Sequence, residues 1–193
     1  MPCNSYSLPA QACVTGAKLA KVKGSVCHGC YALKGFYNMP SVKSPRETNL
    51  NAVKGDLIAW AAGMIETIRK NEKSGFFRWH DSGDVQSYKH LLAIISIANA
   101  LPSIKFWLPT KEKALLSRLK REAVAIPDNL IIRLSMAMID QAPNKTAWPL
   151  TSTVHAKKPA YGVTCQAYQN DGKCGACREC WNKNVTNISY PKH

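Results

Sequence analysis

The sequence has no long hydrophobic run. Its longest strongly apolar stretch, "LLAIISIANAL" at residues 91–101, is far shorter than the roughly 20 residues that a membrane-spanning helix needs. The first residues, "MPCNSYSLPAQAC", have neither the basic head nor the apolar core of a secretory signal. We therefore expect a cytoplasmic protein that does not enter a membrane.

Acidic residues are scarce. The chain of 193 residues has 12 Asp and Glu against 26 Lys and Arg, which gives a formal net charge of +14. Thiolate-bound metal centres would reduce this charge but would leave the protein basic. A basic protein attracts polyanions, so nucleic acid is the first partner to consider. A dispersed lysine surface without such a partner is the alternative, and the oligomeric state is not predicted.

Cysteine is absent from the 134 residues between Cys30 and Cys165, and all eight cysteines lie near the two ends. Disulfides are not expected in a reducing cytosol, where clustered cysteines more often bind metal or carry out redox chemistry. The front group is Cys3, Cys13, Cys27 and Cys30. The rear group is Cys165, Cys174, Cys177 and Cys180.

The region between the two groups alternates strand and helix patterns. The clear strands are "FFRWHDSGD", "IKFWLPT" and "LIIRLSM", and weaker ones are expected near 5–9 and 161–166. Helices are predicted over 47–70, 86–100 and 111–124 from their apolar spacing. Such alternation indicates parallel βαβ units. A complete eight-stranded barrel typically needs about 250 residues, so we expect an open, partial parallel β/α barrel.

We expect a single α/β domain over 1–193, without internal repeats. Its predicted parts are a front cysteine segment (1–45), a β/α core (46–140), and a loop with the rear cysteine segment (141–193). Residues 141–160 are predicted to form a polar loop.

The rear cysteines favour an iron–sulfur cluster. Cys174, Cys177 and Cys180 follow the Cys-x2-Cys-x2-Cys spacing that opens the bacterial ferredoxin run, and Cys165 is the nearest fourth thiol. Structural zinc sites more often use separated Cys-x2-Cys pairs. The spacing therefore predicts a [4Fe–4S] cluster, with zinc as the alternative.

The front cysteines are less specific. A single Cys-x2-Cys pair at Cys27 and Cys30, with Cys13 and Cys3 upstream, is compatible with zinc, a cluster or a redox dithiol. His28, between the two thiols, is expected to be exposed or to donate a hydrogen bond rather than to bind metal.

The motif "HDSGD" follows a buried strand, and ligands of parallel sheets bind at the carboxyl ends of strands. Its candidate ligand contacts are Asp81, Ser82, Gly83 and Asp84. The carboxylates, the hydroxyl and the flexible glycine of this motif could bind an amine or a ribose. Alternatively, the side chains of this motif cap the helix that follows. By strand alternation, Arg133 and Ser135 share one side of their strand, as Arg78 and His80 share one side of theirs.

Together, "VCHGCYALKGFY", "FFRWHDSGD", "FWLPTKE", "CGACRECW" and "ISYPKH" resemble the phage gene product 88-like proteins over nearly the whole chain. That layout is similar to a shortened radical S-adenosylmethionine (SAM) protein. The resemblance implies that Cys13, Cys27 and Cys30 hold a [4Fe–4S] cluster with one open iron, beside the aromatic Tyr31. It also implies a location in the cytoplasm of a bacterial or phage-infected cell.

The same resemblance implies further roles. The amino group of SAM would be bound by Asp81, Ser82, Gly83 and Asp84. The carboxylate or ribose of SAM would be bound by Arg133 and Ser135. The rear cysteines would bind an auxiliary cluster. The front spacing departs from the radical SAM pattern, because thirteen residues rather than three separate Cys13 from Cys27. Cys3 is in addition a candidate fourth ligand that would close the front centre.

Two functions follow as expectations. The first is a protein with two [4Fe–4S] clusters that acts as a radical-SAM-like enzyme on an unidentified substrate. The second is a non-enzymatic protein stapled by iron–sulfur or zinc centres, which binds nucleic acid or carries electrons.

Overall fold

A computed structural model describes residues 1–192 of the chain. Within these residues the sheet has seven strands, all parallel, in the order β1-β2-β3-β4-β5-β7-β6. The strands are β1 (Asn4–Tyr6), β2 (Phe76–Trp79), β3 (Lys105–Thr110), β4 (Leu130–Ile139), β5 (Thr151–His155), β6 (Val163–Thr164) and β7 (Asn187–Pro191). This confirms an α/β fold with an open parallel sheet.

Five α-helices accompany the sheet in the described residues. They are α1 (Val14–Leu19), α2 (Pro40–Lys54), α3 (Leu57–Asn71), α4 (Tyr88–Ala100) and α5 (Lys113–Arg121). None of the helices in residues 1–192 is long and apolar enough to cross a membrane. Short 3-10 turns at residues 31–33 and 35–38 lie within the front cysteine segment.

The sheet has two faces of different character. On the helix face, side chains such as Phe77, Phe106 and Ile132 pack with the buried residues of α3, α4 and α5 into one hydrophobic core. The intervening residues point to the opposite face, which we call the cysteine face and which carries Arg78, Trp107, Arg133 and Ser135. The rear cysteine segment covers this second face.

The helix predicted over 47–70 is wrong as one element, because two helices occupy the region. The break falls at Gly55 and Asp56, where α2 ends and Asp56 caps α3. The Asp56 carboxylate accepts hydrogen bonds from the backbone N–H groups of Ile58 and Ala59, at 2.8 and 3.1 Å. A side chain that satisfies free N–H groups starts a new helix even where the apolar spacing continues.

The polar loop predicted for residues 141–160 is also wrong in part, because β5 lies within it. β5 pairs with β4 on one side and with β7 on the other, so it is an interior strand. Its threonines are buried but hydrogen-bonded: Thr151 Oγ1 donates to Asn187 Oδ1 at 2.8 Å, and Thr153 Oγ1 lies 3.1 Å from Ser189 Oγ.

Candidate metal centres

Three of the front cysteines, Cys13, Cys27 and Cys30, lie together, and we call them the front triad. A Cβ placed on Gly16 would lie 3.5 Å from Cys13 Sγ and 3.7 Å from Cys27 Sγ, so both sulfurs point at this glycine. Cys13 immediately precedes α1, and Gly16 lies within that helix. The absence of a side chain at residue 16 therefore leaves the space that the two thiols share.

Hydrogen bonds hold the triad at the carboxyl ends of the strands, an edge that we call the carboxyl edge. At the start of α1, Thr15 donates through its N–H and its hydroxyl to the carboxylate of Glu112, which follows β3, at 2.9 and 2.8 Å. The Cys27 loop is fixed against the end of β4, where Val26 N donates to Ala137 O at 2.9 Å. Next to Cys30, the Tyr31 hydroxyl donates to Asp81 O at 2.5 Å.

The triad cysteines are partly buried, and negative groups lie near them. Burial raises the pKa of Cys13 to about 12, and the charges of Asp84, Cys27, Cys30 and Glu112 add to the effect. Burial also raises the pKa of Cys27, although the nearby Lys111 ammonium opposes this. Such thiols keep their protons at neutral pH unless a cation displaces them, which is the usual situation of buried metal-binding cysteines.

Cys3 lies apart from the triad. It precedes β1, whereas Cys13 follows that strand, so the two cysteines lie beyond opposite ends of it. Burial raises the pKa of Cys3 to about 11, and its charged neighbours are Glu72, Arg78 and Arg178 rather than the triad thiols. In the structure, Cys13, Cys27 and Cys30 thus form one group, and Cys3 lies outside it.

The rear segment is anchored to the cysteine face by Arg133, which is fully buried. Its guanidinium donates to four carbonyl oxygens of residues 179, 180, 182 and 185, at 2.7–3.1 Å. Trp181 Nε1 donates to Phe77 O at 3.0 Å, and the indole packs edge-on against Trp107. These contacts fix Cys180 against the sheet.

Cys180 is the most enclosed of the rear thiols. Its Sγ lies 3.3 Å from the Tyr190 hydroxyl, and burial raises its pKa to about 11, with the charge of Cys165 contributing. Cys177 is exposed, and its N–H donates to Cys174 O at 3.0 Å. Within residues 1–192, no three His, Cys, Asp or Glu side chains are arranged to hold a metal ion. The iron–sulfur assignment thus stays a prediction.

The motif "HDSGD" contributes mostly internal contacts. Ser82 Oγ donates to Leu8 O at 2.9 Å and accepts from Arg46 Nε at 2.8 Å. At Gly83 φ is +78°, and an added Cβ would lie 2.5 Å from Leu8 Cβ. These two residues therefore bind the loop after β1 to the loop after β2.

Asp84 connects the next pair of loops. One carboxylate oxygen accepts from Thr110 Oγ1 and Val85 N, at 2.6 and 2.7 Å, and the other accepts from Lys111 N at 2.8 Å. Burial nevertheless raises the pKa of Asp84 to about 6. Asp81 differs, because its Oδ1 is buried without a hydrogen-bond partner in the described residues. Asp81 therefore retains an acceptor for a ligand.

Comparison with known proteins decides the family. The gene product 88 family model matches residues 1–183. The chain belongs to the gene product 88 family. No curated protein and no solved structure matches it. Since the match covers all eight cysteines, both candidate centres lie within the family region, and the resemblance to that family is confirmed.

The remaining predicted contacts of this gene product 88 protein lie on the cysteine face. Arg133 and Ser135 share one side of β4, as predicted, but Arg133 is occupied by the rear carbonyls and Ser135 Oγ lies 3.0 Å from Ser152 Oγ. Their roles as SAM contacts stay predictions.

His80 does not share the side of Arg78, so that prediction is wrong. His80 has φ +54°, which turns it out of the strand alternation, and its ring lies 5.6 Å from that of His90 in α4. Strand alternation does not predict this turn, because positive φ is uncommon for residues other than glycine.

Arg78 was predicted only to share a strand side with His80, and no role at the cysteine groups was predicted for it. Its guanidinium stacks 4.6 Å from the Trp107 ring centroid, and its Nε is buried without a partner in the described residues. Burial raises the pKa of both Cys3 and Cys180, and the charge of Arg78 opposes part of that rise. An arginine in the middle of a buried strand is the sequence signal that would have identified it.

Proposed function

We propose that this protein is an iron–sulfur protein of radical-SAM-like architecture, with a catalytic front centre and a structural rear centre. The front triad would hold a [4Fe–4S] cluster, and the four rear cysteines would hold a second. The sheet order supports the architecture, because β1 to β5 are adjacent in chain order, as in a partial β/α barrel. In such folds, sites lie at the carboxyl ends of strands.

The observation that carries the proposal is the separation of Cys3 from the front triad. A four-iron cluster has four corners, and three thiolates leave one iron for another ligand. Cys3 lies beyond the other end of β1, beside Arg78 and Glu72. It is therefore not available to close the front centre in this arrangement.

The chemistry of the residues around the triad supports such a cluster, although no three of these side chains are arranged around one metal position in residues 1–192. Buried thiols of raised pKa bind where iron supplies the compensating charge, and Lys111 adds a nearby cation. Zinc would require four ligands about 2.3 Å from one ion, whereas the thiolates of a cubane bind different irons and lie farther apart. When bound, the cluster would supply the electron that cleaves SAM reductively.

The protein's own groups would orient SAM. The unpartnered Oδ1 of Asp81 faces no donor within the described residues, and Arg46 Nη2 lies 3.9 Å from the other oxygen of the same carboxylate. That oxygen is buried and unsatisfied in the described residues, and it would accept a hydrogen bond from the amino group of SAM, at a gain of about 1.5–3 kcal/mol for a charged hydrogen bond. Ser82, Gly83 and Asp84 would act mainly by fixing the position of Asp81.

The rear centre would be structural. Arg133 and Trp181 fasten its loop to the cysteine face, and Cys180 is enclosed there. A metal bound to such a loop contributes its binding energy to folding.

The test is a SAM titration of anaerobically purified, reduced protein, followed by electron paramagnetic resonance, with iron, sulfide and zinc quantified. We expect about four irons per cluster, and SAM should change the signal of the front cluster in the parent and in Cys3→Ala. Cys30→Ala should lose that response. Asp81→Asn should weaken SAM binding, while Asp128→Asn, at an exposed surface ion pair, should not.

Three results would contradict the proposal: zinc without sulfide, a SAM-insensitive signal in the parent protein, or loss of the front signal in Cys3→Ala. The last would make Cys3 a ligand of a closed front centre.

A further inference from the structure

Charge is divided unevenly along this chain. The first 46 residues contain no Asp or Glu, and Glu47 is the first acidic residue. Residues 141–170 are likewise free of acidic side chains. Both stretches contribute to the carboxyl edge, where the front segment lies against the loops after β2, β3 and β4. The two stretches carry nine of the 26 basic residues and none of the 12 acidic ones, so each is strongly positive.

Acidic side chains at this edge accept hydrogen bonds from the protein's own donors. Glu112 accepts from Thr15, Asp84 accepts from Thr110 and Lys111 N, and the carboxylate of Asp140 accepts from the N–H groups of residues 156–158. The lysines, in contrast, point outward: the exposed ones include Lys18, Lys21, Lys23, Lys34, Lys113 and Lys157. None of these six forms an ion pair within residues 1–192.

An aromatic side chain stands within this basic edge. Phe36, in the 3-10 turn at residues 35–38, has 80% of its surface exposed, and Lys34 precedes it by two residues. The turn is anchored from both sides, since the Tyr31 hydroxyl donates to Asp81 O and Arg46 stacks 4.6 Å from the Tyr37 ring centroid. An exposed phenyl ring on a fixed turn loses little entropy when a flat ligand stacks on it.

We infer that the carboxyl edge binds single-stranded nucleic acid, with Phe36 as a stacking platform for a base and the surrounding lysines as phosphate contacts. Aromatic rings combined with a basic groove are how proteins hold single strands without sequence preference. If the proposed front centre is catalytic, this binding makes a nucleic acid its substrate class. That extension rests on the proposed function, whereas the binding itself does not.

A membrane surface fits these observations less well. Interfacial binding uses an amphipathic helix with a broad apolar face. Here the exposed apolar side chains near the triad, such as Val22, Tyr31 and Phe36, come from separate turns and not from one helix face, and the lysines also come from separate segments.

The first test uses fluorescence anisotropy with a labelled oligo(dT), with neither SAM nor reductant present. Phe36→Ala should weaken binding between about five-fold and one hundred-fold, the equivalent of the roughly 1–3 kcal/mol that one stacked base contributes. Ile58→Ala is the matched control, because Ile58 is an 85% exposed apolar residue on α3. Both variants remove exposed side chains, so folding should be unaffected.

The second test measures the salt dependence of binding. Replacement of Lys18, Lys21 and Lys23 by Gln should flatten the slope of log K against log salt by about two, at about 0.7 per single-strand phosphate contact. The control replaces Lys70, Lys73 and Lys105, which are exposed at the amino ends of β2 and β3. This control should change the slope little.

The inference would be overturned if the protein did not bind the oligonucleotide or if Phe36→Ala bound it as tightly as the parent. It would also be overturned if the two triple lysine variants changed the salt dependence equally. Tighter binding to duplex DNA, to polyphosphate or to anionic vesicles than to the single strand would overturn it as well. Neither binding experiment uses SAM, so a negative result would not count against the proposed front centre. Likewise, a negative SAM titration would not count against nucleic-acid binding at the carboxyl edge.

Discussion

At the scale of single residues, two histidines are buried in neutral form. The ring of His90 lies edge-on to Trp60, its Nδ1 accepts from Gln86 N at 3.2 Å, and its Nε2 has no partner within the described residues. Burial lowers the pKa of His90 to about 4 and that of His80 well below its ordinary value. In the unfolded chain both would take up a proton near pH 6.5.

This difference predicts that the fold loses stability as the pH falls from about 6.5 toward 4. Over that range the unfolded chain binds more protons than the folded one, so acid favours unfolding. Between pH 7 and pH 5, His90 alone should cost up to about 2 kcal/mol. His90→Gln should remove that part of the pH dependence in urea unfolding, and the exposed His28→Gln should not. A parent and a His90→Gln variant with the same pH dependence would contradict the assignment.

At the scale of elements, the helices and strands that could be predicted from the sequence are those with a periodic pattern of apolar residues. β2, β3, β4, α4 and α5 were predicted close to their observed positions, because each has a buried apolar side. β5 and β7 were missed because their buried positions carry polar side chains that bond to one another, as Thr151 does with Asn187. The pattern of hydrophobicity does not reveal a strand whose neighbours satisfy its polar groups.

The candidate site divides in the same way. Spacing predicted that the cysteines of both groups bind metal, but only the path of β1 separates Cys3 from the triad. No sequence pattern reports which end of a short strand a thiol occupies.

The helix α1 offers a test of the shared space beside the triad. Gly16→Ala and Gly63→Ala both replace a helical glycine, and each should gain about 0.5–1 kcal/mol from backbone preference. Nothing lies within 4 Å of a Cβ on Gly63, whereas on Gly16 it would lie 2.9 Å from Cys13 Cβ. We expect Gly63→Ala to be more stable than the parent with unchanged iron content, and Gly16→Ala to lose front-centre iron. Equal iron content in both variants would show that the triad does not use this space.

At the scale of the whole molecule, the sheet is covered by different means on its two faces. Helices cover one face with apolar side chains, and the rear cysteine segment covers the other through Arg133 and Trp181. The rear segment has no α-helix of its own in the described residues, and its helical turns are the 3-10 turns at residues 167–169 and 179–181. Its order therefore depends on the arginine and on whatever the rear thiols bind.

Arg133→Met tests this dependence. Methionine is unbranched and fills much of the space, but it removes the four hydrogen bonds to the rear carbonyls. Buried carbonyls without donors are costly, so unfolding free energy should fall by about 3 kcal/mol or more. Lys183→Met is the matched control in the same segment, because its ion pair with Asp128 is exposed and worth at most about 1 kcal/mol.

The effect of Arg133→Met should also be confined to one centre. Amide hydrogen exchange should rise across residues 177–185, and iron bound by the rear thiols should be lost. The SAM response of the front triad should persist, since the side-chain hydrogen bonds of Arg133 within residues 1–192 go to carbonyl groups of the rear segment. Loss of both centres together would instead mean that the two cysteine groups form one cooperative unit. Arg78 would then be the residue that couples them, because its charge acts on Cys180 of the rear group and on Tyr31 beside the triad.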